Sequence, residues 1–174
     1  MSFIGSETKG QTYAPGWFLA NGDENCVRET RQIPVSMATT TDKNTKYVKM
    51  GTIFPANDAT AEGIVYEDVD VTKGDMPGSV VTKGNVYEDR LADPTVSYDA
   101  VTPAGTENPS TEGWYERSGE AGSYVYTLST DTTVDSEKTY YEQSTIYISS
   151  AAKTALTAKG FKFIAAAPAV TRPY

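Results

Sequence analysis

Apolar and polar residues alternate most regularly between residues 45 and 92, and this stretch predicts short strands. Lys46-Tyr47-Val48-Lys49-Met50-Gly51-Thr52-Ile53-Phe54 alternates well, as a strand with one buried face does. Pro55-Ala56-Asn57-Asp58 then reads as a turn. The following segment repeats itself. Val65-Tyr66-Glu67-Asp68 recurs as Val86-Tyr87-Glu88-Asp89, and Val71-Thr72-Lys73-Gly74 as Val81-Thr82-Lys83-Gly84. Between the copies, Asp75-Met76-Pro77-Gly78 predicts a turn joining paired strands, because proline presets φ and glycine accepts positive φ. Closely spaced short strands of this kind point to a small β-sandwich or barrel.

The pattern changes on both sides. Residues 1–44 show no sustained period. Their apolar positions are Ala14-Pro15-Gly16-Trp17-Phe18-Leu19 and Gln32-Ile33-Pro34-Val35, separated by the polar Asn21-Gly22-Asp23-Glu24-Asn25. So little apolar surface predicts either an extended arm that needs a partner or a plain disordered leader. Trp17 and Phe18 favour the arm, since large aromatics anchor such segments.

From Asp93-Pro94 to about Thr145 the chain is rich in Thr, Ser, Gly, Glu and Tyr. Its strand candidates are Gly113–Glu116, Ser123–Leu128 and Lys138–Glu142. This predicts a small antiparallel module over 94–145, inserted into a body made of 45–93 and 146–174. Ser149 to Gly160 carries a serine cap, interior alanines and a terminal Lys-Gly, the marks of one short helix. Phe161-Lys162-Phe163-Ile164 reads as a strand, with Pro168 and Pro173 bounding an irregular end. The expected class is mainly β, with one short C-terminal helix.

Composition narrows the chemistry. The 174 residues contain no histidine and one cysteine, so histidine-dependent triads and zinc sites cannot be assembled from this chain alone. Cys26 is expected either as a partly buried small side chain or as an exposed or intermolecular thiol. A formal charge of −8 argues against a nucleic-acid partner. No apolar run reaches the length of a membrane-spanning helix, and Met1–Gly10 lacks the order of a secretory signal. The expectation is a soluble chain made in the cytoplasm, with no membrane partner, cofactor or metal.

Glu67, Asp68, Asp70, Glu88 and Asp89 are the candidate carboxylates. Neighbours on a strand face opposite ways, so they are expected on a solvated rim rather than as a converging acid/base or metal pair. Asp68-Val69-Asp70 lacks the rest of a calcium loop, and the two Thr-Lys-Gly words lack the phosphate-loop spacing. No hydroxyl sits beside a base. Tyr115, Tyr124, Tyr126, Tyr140, Tyr141 and Tyr147, with Trp114, read in two ways: a contact surface, or cross-strand pairs filling a thin core.

One stretch is informative beyond its composition. Met50-Gly51-Thr52-Ile53-Phe54-Pro55-Ala56-Asn57-Asp58-Ala59-Thr60 through Asp68-Val69-Asp70-Val71-Thr72 resembles the head decoration or head-fibre proteins of tailed bacteriophages. Pro77–Val81 and Ala151–Leu156 with Phe161–Phe163 are similar to the same group. Asn108–Glu116 with Thr139–Glu142 resembles a small β module of phage structural proteins, and as an insertion it departs from the compact decoration pattern.

The resemblance implies a lambda-type decoration fold, a homotrimer on the capsid exterior that clamps major capsid protein and is no enzyme. In that setting residues 1–44 would lie on the shell, with Trp17, Phe18, Ile33 and Val35 as anchors. The alternative is a host-surface module that presents Trp114, Tyr115, Tyr124 and Tyr126 to glycan or protein.

Overall fold

The computed structural model describes residues 14–20, 22–38, 40–42 and 45–167. Residues 1–13 of the expected arm, and the expected irregular end around Pro168 and Pro173, lie outside them. The first leg contains β1 (Val27–Ile33), β2 (Thr40–Asp42), β3 (Thr45–Val48), β4 (Ile53–Phe54), β5 (Gly63–Val65), β6 (Val69–Asp70), β7 (Met76–Lys83) and β8 (Asn85–Tyr87). β9 (Thr95–Ala100), the one-turn helix α1 (Pro109–Glu112), β10 (Tyr115–Ser118), β11 (Val125–Leu128) and β12 (Tyr140–Ile146) follow. Helix α2 (Ser150–Ala158) and β13 (Lys162–Ile164) are the last elements of the described residues. The protein is mainly β, with one short C-terminal helix.

Two compact units divide it: a body of 1–94 and 147–174, and the inserted unit Thr95–Ile146. In the body, β1-β7-β5-β4 form an antiparallel sheet, β2-β3-β6 a second, and β8 pairs with β13 in parallel. Ile64 faces Val81 and Val65 faces Val80 across β5 and β7. Successive strand residues point to opposite faces, and both faces here are covered. Ile64 and Val81 join Phe18, Leu19, Ile53, Ala152, Leu156 and Phe161 on one side. Val65 and Val80 join Ile33, Val48, Phe54, Val69 and Val71 on the other. The main sheet is therefore a buried central layer, which is why its strands carry adjacent apolar residues instead of strict alternation.

This layer corrects the expected arm. Phe18 and Ile33 are both 0% exposed, and Arg28–Ile33 pairs residue by residue with Met76–Val81, a bulge at Thr82 separating the last pair, Val27 with Lys83. The described part of 14–38 is thus a portion of the body, because its few apolar residues complete both clusters. Burying one such side chain contributes about 1.5–3 kcal/mol, so these positions are committed to the fold.

The repeated words also adopt unlike structures. Val71-Thr72-Lys73-Gly74 forms the turn after β6, whereas Val81-Thr82-Lys83 ends β7. Met76-Pro77-Gly78, expected as a turn, begins β7 opposite Ile33, Gln32 and Arg31. Pro77 is tolerated because β5 pairs only with the later Val80 and Val81, so no β5 neighbour needs its missing N–H. A Cβ on Gly78 would stand 2.7 Å from Ile33 Cγ1, and glycine lets β1 and β7 close over the cluster. Gly51, at φ +86, breaks the alternating 46–54 run into β3 and β4.

Helix α2 begins as its sequence predicts. Ser149 Oγ accepts from the Ala152 N–H at 3.1 Å, and Ala152 and Leu156, four apart, are its buried side chains.

Candidate functional site

The inserted unit brings a group of aromatic and titratable side chains together. Its sheet order is β11-β10-β12-β9, all antiparallel. The register places Tyr115 opposite both Leu128 and Tyr141, Arg117 opposite Tyr126, and Tyr98 opposite Gln143. These residues therefore share one face, together with Val96. Glu116, Val125, Tyr140, Glu142 and Asp99 share the other.

On the first face the rings touch one another. Tyr98 stacks on Tyr126 with centroids 3.9 Å apart, Tyr115 meets Tyr98 edge-on at 5.2 Å, and Tyr126 meets Tyr141 edge-on at 5.2 Å. In a flat sheet the outer strands would lie about 14 Å apart. The stack thus requires β9 and β11 to curl toward each other while their rings lean over the inner pair. The Arg117 guanidinium stands 4.2 Å over Tyr124 and 5.1 Å from the Tyr141 ring. No carboxylate lies on this face of the strands.

The second face is closed by a polar latch. Tyr140, fully buried, donates its hydroxyl hydrogen to Asp131 Oδ2 at 2.7 Å and accepts from the Asp135 N–H at 3.1 Å. Lys138 Nζ donates to Asp131 at 2.8 Å and lies 3.0 Å from Glu116 Oε2, whose other oxygen accepts from Ser129 Oγ at 2.7 Å. The bonds to Lys138 and then Tyr140 hold the Asp131 carboxyl below its ordinary range. Burial and the Asp131 bond push the Tyr140 hydroxyl up, and the two carboxylates raise the Lys138 ammonium. All three groups thus keep their neutral-pH protonation over a wide interval. A hollow of about 530 Å³ runs along Thr130–Ser136, with a mostly polar lining.

The residues expected to act at a surface divide. Tyr124 is 42% exposed, and Tyr115 and Tyr126 are half-buried within the ring array. Trp114 is buried beside Tyr140 at 5.9 Å, which removes it from the expected contact surface. Tyr147 lies in the body, against the α2 cluster. Tyr98 and Arg117 belong to the array although sequence reasoning did not single them out. The signal was available in the alternation of Thr95–Ala100 and Tyr115–Ser118.

In the body, Trp17 lies under the Arg90 guanidinium at 3.9 Å, and Val35, half-buried, donates its N–H to Asp75 Oδ1 at 2.8 Å. Phe18 and Ile33 are interior and cannot serve as shell anchors. Cys26 is half-buried beside the first cluster.

The candidate carboxylates do not converge: Glu67 and Asp70 are exposed and Asp68, Glu88 and Asp89 are partly so, and Asp68, Asp70, Glu88 and Asp89 also hold a partner. Asp68 accepts from the Met50 N–H at 2.7 Å, Asp70 from the Thr72 N–H at 2.9 Å, and Asp89 from the Ala167 N–H at 3.0 Å. Glu88 pairs with Lys153. Each of the three aspartates satisfies a backbone N–H, as a carboxylate near one does. Among the described residues no group of three or more potential metal ligands comes together, and no helix is long and apolar enough to cross a membrane.

No protein-family model, curated protein or solved structure matches the chain.

Proposed function

We propose that this chain is a structural virion protein, which decorates the outside of a tailed-phage head as a homotrimer bound to major capsid protein, and catalyses no reaction. The observation that carries the reading is a junction between the two stretches similar to decoration proteins. Asn57, in the Pro55–Asp58 turn, accepts the Ser149 N–H through Oδ1 at 2.9 Å and the Ser149 hydroxyl through its carbonyl at 2.8 Å. The loop of one stretch and the helix cap of the other are thereby a single local structure, though far apart in sequence. With Phe18 and Ile33 interior, attachment to the shell falls to exposed surfaces of the body.

The test is cosedimentation of the purified chain with expanded, undecorated heads of the phage that encodes it. Saturable binding in multiples of three is expected. A monomer that never pellets with heads yet binds cells would defeat the reading and move the function to the inserted unit. That second reading, a module for host-surface glycan or protein, is favoured by the ring array around Tyr124 and Arg117.

A further inference from the structure

The formal charge is not shared between the units. Thr95–Ile146 carries nine carboxylates against two cations, Arg117 and Lys138, a net −7 of the chain's −8. Lys138 is held by Asp131 and Glu116. Against this background β11 is conspicuous. Ser123-Tyr124-Val125-Tyr126-Thr127-Leu128-Ser129-Thr130 contains no charged residue. β11 is an outer strand, paired with β10 alone. Val125 and Leu128 are each 56% exposed, on opposite faces of the sheet.

Edge strands offer unpaired N–H and C=O groups and are usually blunted by charge, proline or shortness. The long edge strand of the body follows that rule, since β1 carries Arg28, Glu29 and Arg31 along its exposed length. β11 has neither charge nor proline, and of the three devices it carries only shortness, with four residues. A second copy of this chain is a poor occupant, because pairing β11 with β11 would bring two units of net −7 together. The unit's net charge attracts a cationic segment, with Arg117 beside Tyr124 and Tyr126 the cation such a guest would meet on one face of β11.

We propose that the outer edge of β11 is a docking edge for an extended, basic segment of another protein, which joins the sheet as an added strand. Main-chain hydrogen bonds would supply the register, and Leu128 on one face and Val125 on the other would contact alternate side chains of the guest. The inference concerns the inserted unit and holds whether or not the body decorates a capsid.

The test uses the full chain and two labelled peptides of alternating valine and threonine, one ended by lysines and the other by glutamates, followed by fluorescence anisotropy. The basic peptide is expected to bind saturably, about tenfold or more tighter than the acidic one, with the difference shrinking as salt is added. The double variant Val125→Lys with Leu128→Lys should lose about tenfold in affinity while keeping its melting profile, because both side chains are more than half exposed. Glu137→Lys, which changes the charge equally at an exposed site away from β11, should retain most of the binding. Equal affinity for both peptides, absence of binding, or a double variant that binds like the native chain would each overturn the proposal. A native dimer that the double variant converts to monomer would overturn it in favour of a second copy.

Discussion

In the body, Phe18, Ile33, Ile64, Val65, Val80, Val81 and Leu156 are all at or near zero exposure, whereas the buried apolar side chains of the inserted unit include only Trp114, Tyr140 and Tyr141 among its large ones. The body nearly balances its charge, with fourteen carboxylates and thirteen cations, and the insertion does not. The difference teaches how each unit is held. The body buries aliphatic residues on both faces of one sheet. The insertion is short, and it relies on consecutive tyrosines, Tyr140 and Tyr141, each at the centre of one face: Tyr141 under a lid of rings, Tyr140 under the Asp131–Lys138 latch. Small units bury a smaller share of their surface, so aromatics and polar bonds carry more of the load.

This comparison can be broken at several points. The largest expected effect is in the body: Phe18→Ala should destabilise it by about 3–5 kcal/mol, read as a lowered denaturation midpoint for the body's transition. A free arm would show no change. Trp114→Ala should melt the inserted unit while leaving the body's transition in place, as two calorimetric peaks would reveal; one merged and lowered peak would show that the two units do not unfold separately.

Removing Thr95–Ile146 and joining Pro94 to Tyr147 should leave a folded body with its own cooperative transition. Thr95 and Ile146 are directly opposite in the β9–β12 ladder, so the insertion's ends are about 4.5–5.5 Å apart and a direct join needs little rearrangement. An unfolded remainder by circular dichroism would refute the division.

Acid sharpens the contrast. The Asp131 carboxyl is depressed in the folded state, so its stabilisation is present above the unfolded value of about 3.9 and is lost as pH falls through the lower folded value. Lys138 and Tyr140 are raised, so their contributions are present below about 10 and fade only as pH rises through the higher folded values. The insertion should hold its melting temperature between these limits and lose it below pH about 4. Asp131→Asn should flatten the acid limb. Smallest of all, Arg31→Ala, which breaks an exposed pair with Glu29 at 2.6 Å, should change stability by less than about 1 kcal/mol. A larger loss would mean that β1 depends on charge pairing more than on its burial of Ile33.

The places where the sequence misleads share a cause. Met76-Pro77-Gly78 has the composition of a turn, yet it lies in β7 because β1 approaches closely there and β5 does not reach it. Val86-Tyr87-Glu88-Asp89 repeats Val65–Asp68 but runs from β8 into a single 3₁₀ turn, since β13 pairs with it on one side. Tyr98 gives no warning of its stack with Tyr126, because two strands lie between them in the sheet.

Local chemistry, by contrast, was legible. The β-rich class, the Ser149 cap, helix α2 and the strand after it depend on neighbours within a few residues, and such patterns are written where they act. The sequence alone also excludes histidine chemistry and fixes the uneven charge. Only tertiary structure decided that the described part of 14–38 belongs to the body, that Trp114 turns inward while Tyr124 turns out, and that Asp68 and Asp89 of the repeated words hold backbone. Those outcomes depend on which distant segment covers a face or meets an N–H, and residues such as Phe18 and Ile33 acquire their role from clusters that reach as far as Phe161 and Val80.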